Sequence, residues 1–410
     1  MPGSHSPAPS QKHQNQPAQD AESLLQSAKS EPLTDGGIRT SQLLSEALRI
    51  DPGHHEAQIL QERLHRTFVP RWHFPMLSDT ARNKAYAKAI AAKVKPGDVV
   101  LDIGCGAGLT AMLAARAGAK HVYTCEQQPL IAQAAKQVIA DNGLSSRITV
   151  IPKWSHDIVV GEDIPEQADV VISEIVDTVL LGEGALATLT HAMAALAKPD
   201  ARAIPERGTL MAQPVESDGL LNLWRPHEAE GFDLSAFHNF ARVAQLTPND
   251  FEACKLRSLG PAAELFAFDF TRPNINPGRT TADLACAAAG TIHAVLVSFE
   301  MDLAPGIQVS NGVNSGGHWG RTAYLLDHPH LAAPGDRLRV TAQHDASQLS
   351  LSVQGALQRA VEQTTATLWM TRGWNAHRQL LADGGPAAPQ APVCPPSEAA
   401  LARPQGQAFH

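Results

Sequence analysis

Cysteine is scarce in this chain: five in 410 residues, at Cys105, Cys125, Cys254, Cys286 and Cys394. Their spacing matches no zinc site, and their density is too low for a disulfide framework, so reduced thiols and no bound metal are expected. Aromatic residues make up only 5% of the sequence. No apolar run reaches spanning length, and the polar stretch Met1–Asp20 has no apolar signal core, so a cytoplasmic protein without a membrane partner is expected. A basic excess is also missing. The formal net charge of -8 provides no global field for nucleic acid, which is therefore not expected as a partner. What remains is 43% hydrophobic and 18% charged content, the composition of a helix-rich globular enzyme with room for more than one domain.

Residues 1–20 and 381–410 lack the apolar side chains that would offset ordering entropy, and both are expected to be disordered. Residues 21–68 read as helical. Within them, Leu43-Leu44-Ser45-Glu46-Ala47-Leu48-Arg49-Ile50-Asp51-Pro52 resembles the end of one tetratricopeptide unit. One unit is too few for a solenoid, which leaves two readings: an amphipathic cap whose Leu and Ala stripe is core, or a peptide-docking repeat. Residues 69–203 alternate apolar strands with alanine-rich helices, and the strand candidates are Val99–Ile103, Val122–Cys125, Ile148–Ile151 and Val170–Ser173. Parallel strands separated by helices imply a doubly wound, Rossmann-like α/β domain. After Ala203 the texture changes to strand-like runs broken by Pro and Gly, including Thr209–Val215, Glu264–Phe270, His293–Met301, Thr322–Leu326, Leu338–Ala342 and Gln348–Val353. Residues 204–380 are therefore expected to form a separate β-barrel-like domain.

The most informative segment is Val99 to Gly108, an apolar strand that ends in Asp102 and opens into a helix through Gly104, Gly106 and Gly108. Such a loop lets backbone approach a ligand closely. In dinucleotide folds the pattern is G-x-G-x-x-G, whereas here the third glycine comes one residue early. The Asp-x-Gly-x-Gly-x-Gly form resembles motif I of class I methyltransferases, which implies S-adenosylmethionine as cofactor. Glu126 ends the next strand, where a carboxylate can accept from both ribose hydroxyls. The turn after the third strand would then lie along the adenine, with Trp154 stacking on it and Ser155 or His156 bonding its amine. For Trp154, ordinary core packing is the alternative.

Beyond the fourth strand, the segment Ser173 to Gly184 carries Glu174, Asp177 and Glu183. It resembles the double-glutamate loop of protein arginine N-methyltransferases, closest to the divergent branch with N-terminal tetratricopeptide repeats. Two carboxylates suit this chemistry because guanidinium presents a planar fork of donors. Anchoring that fork also draws its delocalised charge away from the nitrogen that must attack a methyl group. The resemblance implies Glu174 and Glu183 as the guanidinium clamp and Asp177 as a substrate contact that narrows the pocket. Arg71 to Asn83 resembles the segment that closes over the cofactor, with Met76 against the methyl group and Arg82 on the cofactor carboxylate. Gly317-His318-Trp319 resembles the family's Thr-His-Trp loop, in which His318 orders the active site and Trp319 walls the guanidinium slot. Gly231 to Ser235 matches a helix start in the family's barrel domain.

Two departures stand out: the family's N-terminal Tyr-Phe-x-x-Tyr helix is absent, and Gly317 replaces Thr. The resemblance implies methyl transfer to an arginine guanidino nitrogen in a protein or peptide. The alternatives are a small guanidine-bearing metabolite or natural product as acceptor, and a non-catalytic interaction protein that retains the fold. Some relatives carry two catalytic modules in one chain. This sequence has one, so a homodimer in place of an internal pseudo-dimer is expected.

Overall fold

The computed structural model describes residues 20–355 together with 357 and 358. The disorder expected over 1–19 and 381–410, and the end of the expected barrel domain, lie outside the described residues.

Helices α1 (Ala21–Ser30), α2 (Ile38–Ile50) and α3 (His55–Phe68) come first. Asp20 caps α1 by accepting from the Ser23 N–H at 2.7 Å, and a stripe of Leu24, Leu25, Leu43, Leu44, Ala47 and Leu64 closes a small core of its own against Leu130. Two further helices follow, α4 (His73–Ser78) and α5 (Thr80–Lys93). Asp79 terminates the first and caps the second, accepting from the Arg82 N–H at 3.0 Å.

The α/β half then runs through β1 (Val99–Ile103), α6 (Leu109–Ala117), β2 (His121–Cys125), α7 (Pro129–Asp141), β3 (Ile148–Ile151), β4 (Ala168–Ser173), α8 (Ala185–His191) and β5 (Ala197–Ile204). These strands form one parallel sheet in the order β3-β2-β1-β4-β5. Every residue of β1 is buried, as a central parallel strand covered on both faces requires. The strand order reverses between β1 and β4, and ligands in open α/β sheets bind outside the carboxyl ends at such a switch point. Ile103 pairs with Ser173 there, so the glycine loop and the acidic loop leave the sheet side by side.

The second half is antiparallel. It contains β6 (Arg207–Glu216), α9 (Asp218–Trp224), β7 (Glu228–Ala229), β8 (Phe232–Asp233), β9 (Val243–Leu246), α10 (Pro248–Cys254), β10 (Arg257–Ser258), β11 (Ala263–Asp269), β12 (Gly278–Ala285), β13 (Gly290–Ala304), β14 (Ile307–Ser310), β15 (Arg321–Ala332), β16 (Arg337–His344) and β17 (Leu349–Val353). A seven-stranded sheet follows the order β10-β6-β13-β15-β9, with β11 on β6 and β14 on β13, and β12-β16-β17 form a second sheet. Together they make the barrel-like domain. The stretch expected to start a helix at Gly231–Ser235 instead pairs Phe232–Asp233 with β7, and a short 3₁₀ turn follows over Ser235–Phe240.

One apolar core spans both halves: Tyr86 and Ile90 of α5 and Leu180 of the acidic loop cluster with Val297, Phe299 and Met301 of β13. Helix α5 packs against β13 and β14 as well as α6 and β5, which fixes where its N-terminus points. Because Ile90 is fully buried in that shared core, Ile90→Ala should cost about 2–5 kcal/mol by lost transfer energy and an unfilled cavity. Urea unfolding checks this, and a loss below about 1 kcal/mol would show that the site collapses freely.

Candidate active site

The glycine loop is pinned at the end of β1 by the Gly104 and Cys105 N–H groups, which donate to the Cys125 carbonyl at 3.1 and 2.9 Å. Gly104 has φ +80, and a Cβ there would lie 2.6 Å from Ile175 Cγ2, so no side chain fits between the two loops. Gly106 and Gly108 also take positive φ. Glu126 wraps the loop, with Oε2 accepting from Gly106 N–H at 3.1 Å and Oε1 from Gln128 N–H at 2.9 Å. Burial raises its pKa against the pull of those N–H donors. Asp102 lies beneath, accepting from the Thr124 hydroxyl at 2.7 Å, and burial pushes its carboxyl up to about 6.

This cradle fits a nucleoside-bearing cofactor. Ser155 is 2% exposed, and its hydroxyl has no hydrogen-bond partner among the described residues. Trp154 is 51% exposed and its ring lies 4.2 Å from that of His156, so the indole is a surface platform and does not pack in the core. Met76 is buried in α4, and the His73 ring stands 3.8 Å from where a Gly106 Cβ would be. Arg82 Nε is buried without a partner, which leaves it a free donor for a carboxylate.

The acidic loop brings its charges to the same end of the sheet. Glu174 follows β4 and accepts from Arg82 Nη2 at 2.5 Å, in a pair whose side chains are 5% and 7% exposed. Tyr86 lies below, with its ring centroid 5.1 Å from the guanidinium and its hydroxyl donating to the Ser173 carbonyl at 3.1 Å. Even so, desolvation outweighs Arg82 and leaves the Glu174 pKa raised. Glu183 has no cationic partner among the described residues. Its backbone is left-handed at φ 57, as is that of Leu180 at φ 64. The residue is exposed, yet desolvation, followed by the charges of Glu174, Asp177 and Glu126, pushes its carboxyl up to about 7.

Asp177 is occupied inside its own loop. Its Oδ1 accepts from the Val179 and Leu181 N–H groups at 3.0 and 3.1 Å, and a Cβ at Gly182 would come within 2.5 Å of its carboxylate. This is a loop-bracing position.

His318 closes the cleft from the barrel side. Its backbone N–H and its Nδ1 both lie 3.0 Å from Asp79 Oδ2. A side chain at Gly317, where φ is +111, would approach that same oxygen to 2.6 Å. Burial lowers the His318 pKa more than Asp79 raises it, so the ring is neutral near pH 7 and Nδ1–H donates. The Trp319 ring lies tilted against that of His318, with centroids 4.2 Å apart, and meets Phe299 edge-on at 5.2 Å. Its indole N–H lies near enough to favour the Glu174 carboxylate without reaching hydrogen-bond geometry.

The structure thus brings Arg82, Asp102, Glu126, Glu174, Glu183, His318 and Trp319 to one cleft. Sequence reasoning passed over Asp79, Tyr86 and Thr124. Only Asp79 had a legible signal, as the Asp of an N-cap directly before a helical stretch.

The model of the ribosomal protein L11 methyltransferase (PrmA) family matches residues 84–208, which span the parallel sheet. An arginine N(omega)-methyltransferase of Streptomyces achromogenes subsp. streptozoticus is 41% identical over 274 residues, covering 67% of this chain and 76% of that protein. Protein arginine N-methyltransferase 7 of Danio rerio is 30% identical over 327 residues, covering 72% of this chain but only 48% of that longer protein. Among solved structures, the Trypanosoma brucei protein arginine methyltransferase 1 enzyme–prozyme complex with AdoHcy superimposes with a TM-score of 0.58 at 23% identity, covering 70% of this chain and 98% of that one, which shows a shared fold. Identity of 41% across three quarters of a relative exceeds what a common fold alone produces, and the chain belongs to the arginine N-methyltransferase family.

Proposed function

We propose that this protein transfers a methyl group from S-adenosylmethionine to a terminal guanidino nitrogen of arginine in a protein or peptide. The observation that carries the reading is the Arg82–Glu174 pair, in which a guanidinium is already seated on Glu174, while the exposed Glu183 has no cation among the described residues. When bound, the cofactor supplies an activated methyl group on a sulfonium. The chain's own residues do the positioning. Glu126 and Ser155 offer acceptors and a donor to the nucleoside, and Arg82 offers Nε to a carboxylate. Glu174 and Glu183 grip the acceptor and draw its positive charge towards themselves, which leaves electron density on the attacking nitrogen. A second reading, free arginine as acceptor, is favoured by the Streptomyces relative, whose name specifies arginine without a protein.

Three accessory readings follow. Phe232, Phe237 and Phe240, on the segment between α9 and β9, are 72%, 74% and 81% exposed. The α2, α3 and α7 face carries a groove of about 840 Å³ that includes Val69, Phe74 and Leu130, and a second copy of the chain would cover both. Helices α1–α3 act as a cap and not as a tetratricopeptide docking repeat, because their apolar stripe is spent on their own core and Leu130. A cytoplasmic location is supported by Cys105, Cys125 and Cys254, which are buried and in no disulfide among the described residues, and fractionation of cells producing the protein tests it.

Labelled methyl transfer to arginine peptides, free arginine and lysine peptides tests the main reading. Arginine acceptors should be methylated and lysine peptides inert, because a point ammonium does not match the planar fork. Either Glu174→Gln or Glu183→Gln should lower turnover about a hundredfold with cofactor affinity little changed. Methylation of lysine, or full activity of both variants, would defeat the guanidinium assignment.

Glu126→Ala should weaken cofactor-product binding at least about tenfold in calorimetry, the worth of one charged hydrogen bond. Equal affinity in the variant would remove Glu126 from the cofactor site.

The raised carboxyl of Glu183 also sets a pH limb, since the clamp works only when ionised. In the free enzyme kcat/KM should fall on acidification below about 7, approaching tenfold per pH unit. A profile flat from pH 8 to 5.5 would contradict it.

Replacing Phe237 and Phe240 together by Asp should convert a dimer to a monomer in sedimentation. Unchanged sedimentation would place any dimer contact elsewhere.

A further inference from the structure

The acidic loop and the His318–Trp319 loop belong to different halves of the molecule, and one buried amide joins them. Asn311 follows β14 and is fully buried. Its Nδ2 donates to the Thr178 carbonyl at 3.1 Å, between Glu174 and Glu183, and to the Gly320 carbonyl at 3.0 Å, directly after Trp319. Its Oδ1 accepts from the Phe299 N–H at 2.6 Å. These partners fix the amide's orientation, because two carbonyls need the donor and the N–H needs the acceptor. The remaining backbone groups are engaged as well: Asn311 N–H donates to the Phe299 carbonyl at 3.2 Å, and the Asn311 carbonyl accepts from Arg321 Nε at 3.1 Å.

Arg321 braces only one side of this junction. It is 2% exposed, and its guanidinium donates to the carbonyls of Asn311, Trp319 and Ser315. Its carbon Cζ lies 4.3 Å from the centroid of the Phe251 ring. All of those contacts belong to the His–Trp loop and α10. The direct hydrogen bonds to the acidic loop are those of Asn311 and the contact where the Thr178 and Thr322 hydroxyls meet at 2.8 Å, beside the longer route from His318 through Asp79 and Arg82 to Glu174.

We propose that Asn311 is a positioning residue: its side-chain amide registers the acidic loop against the His–Trp loop, so that Glu174 and Glu183 face the wall formed by Trp319. The catalytic part of this inference rests on the arginine-methylation reading; the mechanical part does not. Thr178 Cγ2 lies against Gly320, but among the described residues no side-chain hydrogen bond runs from either residue to the other loop's backbone, so the amide holds the two segments together through their carbonyls. Misplacing the clamp by about 1 Å is enough to cost on the order of a hundredfold in rate.

Asn311→Asp tests this in the full chain. The carboxylate keeps the shape and can still accept from Phe299, but it turns an oxygen towards both loop carbonyls. Hydrogen–deuterium exchange over 176–184 and 312–320 should rise together by about tenfold or more, as for release of a locally closed unit. Methyl transfer to an arginine acceptor should fall about thirtyfold or more in kcat/KM while cofactor-product affinity stays within about threefold. Arg321→Lys should loosen 312–320 and leave 176–184 as in the parent protein. If Asn311→Asp does not fold, Asn311→Ser, which removes the double donor without adding charge, should show the same joint loosening. Exchange that rises in only one segment, or in neither, overturns the proposal, and so does cofactor affinity that falls as far as acceptor turnover. A parent protein that methylates no arginine acceptor would defeat the functional reading alone, since the exchange experiment still decides whether the amide joins the loops.

Discussion

Charge compensation in a buried cleft is the constraint on which the rest of this site depends. Asp79, Asp102, Glu126, Glu174 and Glu183 converge there, and Arg82 is the guanidinium the chain sets among them. An uncompensated buried carboxylate is costly, so each acid must find donors or take up a proton. Asp79 takes the helix N-terminus and His318. Glu126 takes loop N–H groups and Asp102 takes Thr124. Glu174 takes Arg82, and Glu183, exposed at the edge of this group, has no cation among the described residues, its carboxyl pushed up to about 7 by desolvation and by the charges of Glu174, Asp177 and Glu126. A cleft short of one positive charge, with planar acceptors at its opening, is complementary to an incoming guanidinium.

Holding that deficit in place requires backbone that would not adopt these angles unaided. Leu180 and Glu183 both sit in the left-handed region, where a residue with a side chain costs about 1 kcal/mol or more. Asp177 offsets part of that cost by accepting two N–H groups within the turn, and Leu180 is anchored by complete burial in the core shared with β13. The loop is thus folded from inside by a carboxylate and from outside by the barrel half. An Asp that resembles a substrate contact in sequence can serve in this way because a turn with two left-handed residues needs an acceptor at its base.

How much of this could be read in the sequence depended on whether the signal was local. The parallel strands were legible because β1 to β4 are short apolar runs, the first three set off by alanine-rich helices, and the glycine loop because a close approach forbids side chains. Strand β5, Ala197–Ile204, was not: Pro199 and three charged residues disguise it, and its place at the sheet edge tolerates both. Strand β12 was hidden for a related reason, since Gly278–Ala285 has little apolar content and is defined by its eight pairings with β16. In the site, Glu174 and Glu183 carried a family phrase. Tyr86 and Thr124 look like ordinary core residues until the fold sets them under Arg82 and Asp102, a relation that no spacing along the chain encodes.

Gly317 shows how a departure from a family pattern can follow from packing. Two groups of His318, its N–H and its Nδ1, share the single oxygen Asp79 Oδ2, which draws the backbone at 317 to within a Cβ contact of 2.6 Å from that oxygen. At φ +111 the residue is also outside the range that a branched side chain adopts. A threonine would have to displace either the loop or Asp79, and Asp79 is already committed as the N-cap of α5. Displacing it would release the helix whose first turn carries Arg82, and with it the pairing that neutralises Glu174. The missing side chain at 317 and the buried ion pair beyond Asp79 are therefore two ends of one chain of contacts, and the glycine is what lets the barrel half reach into the α/β half at that point.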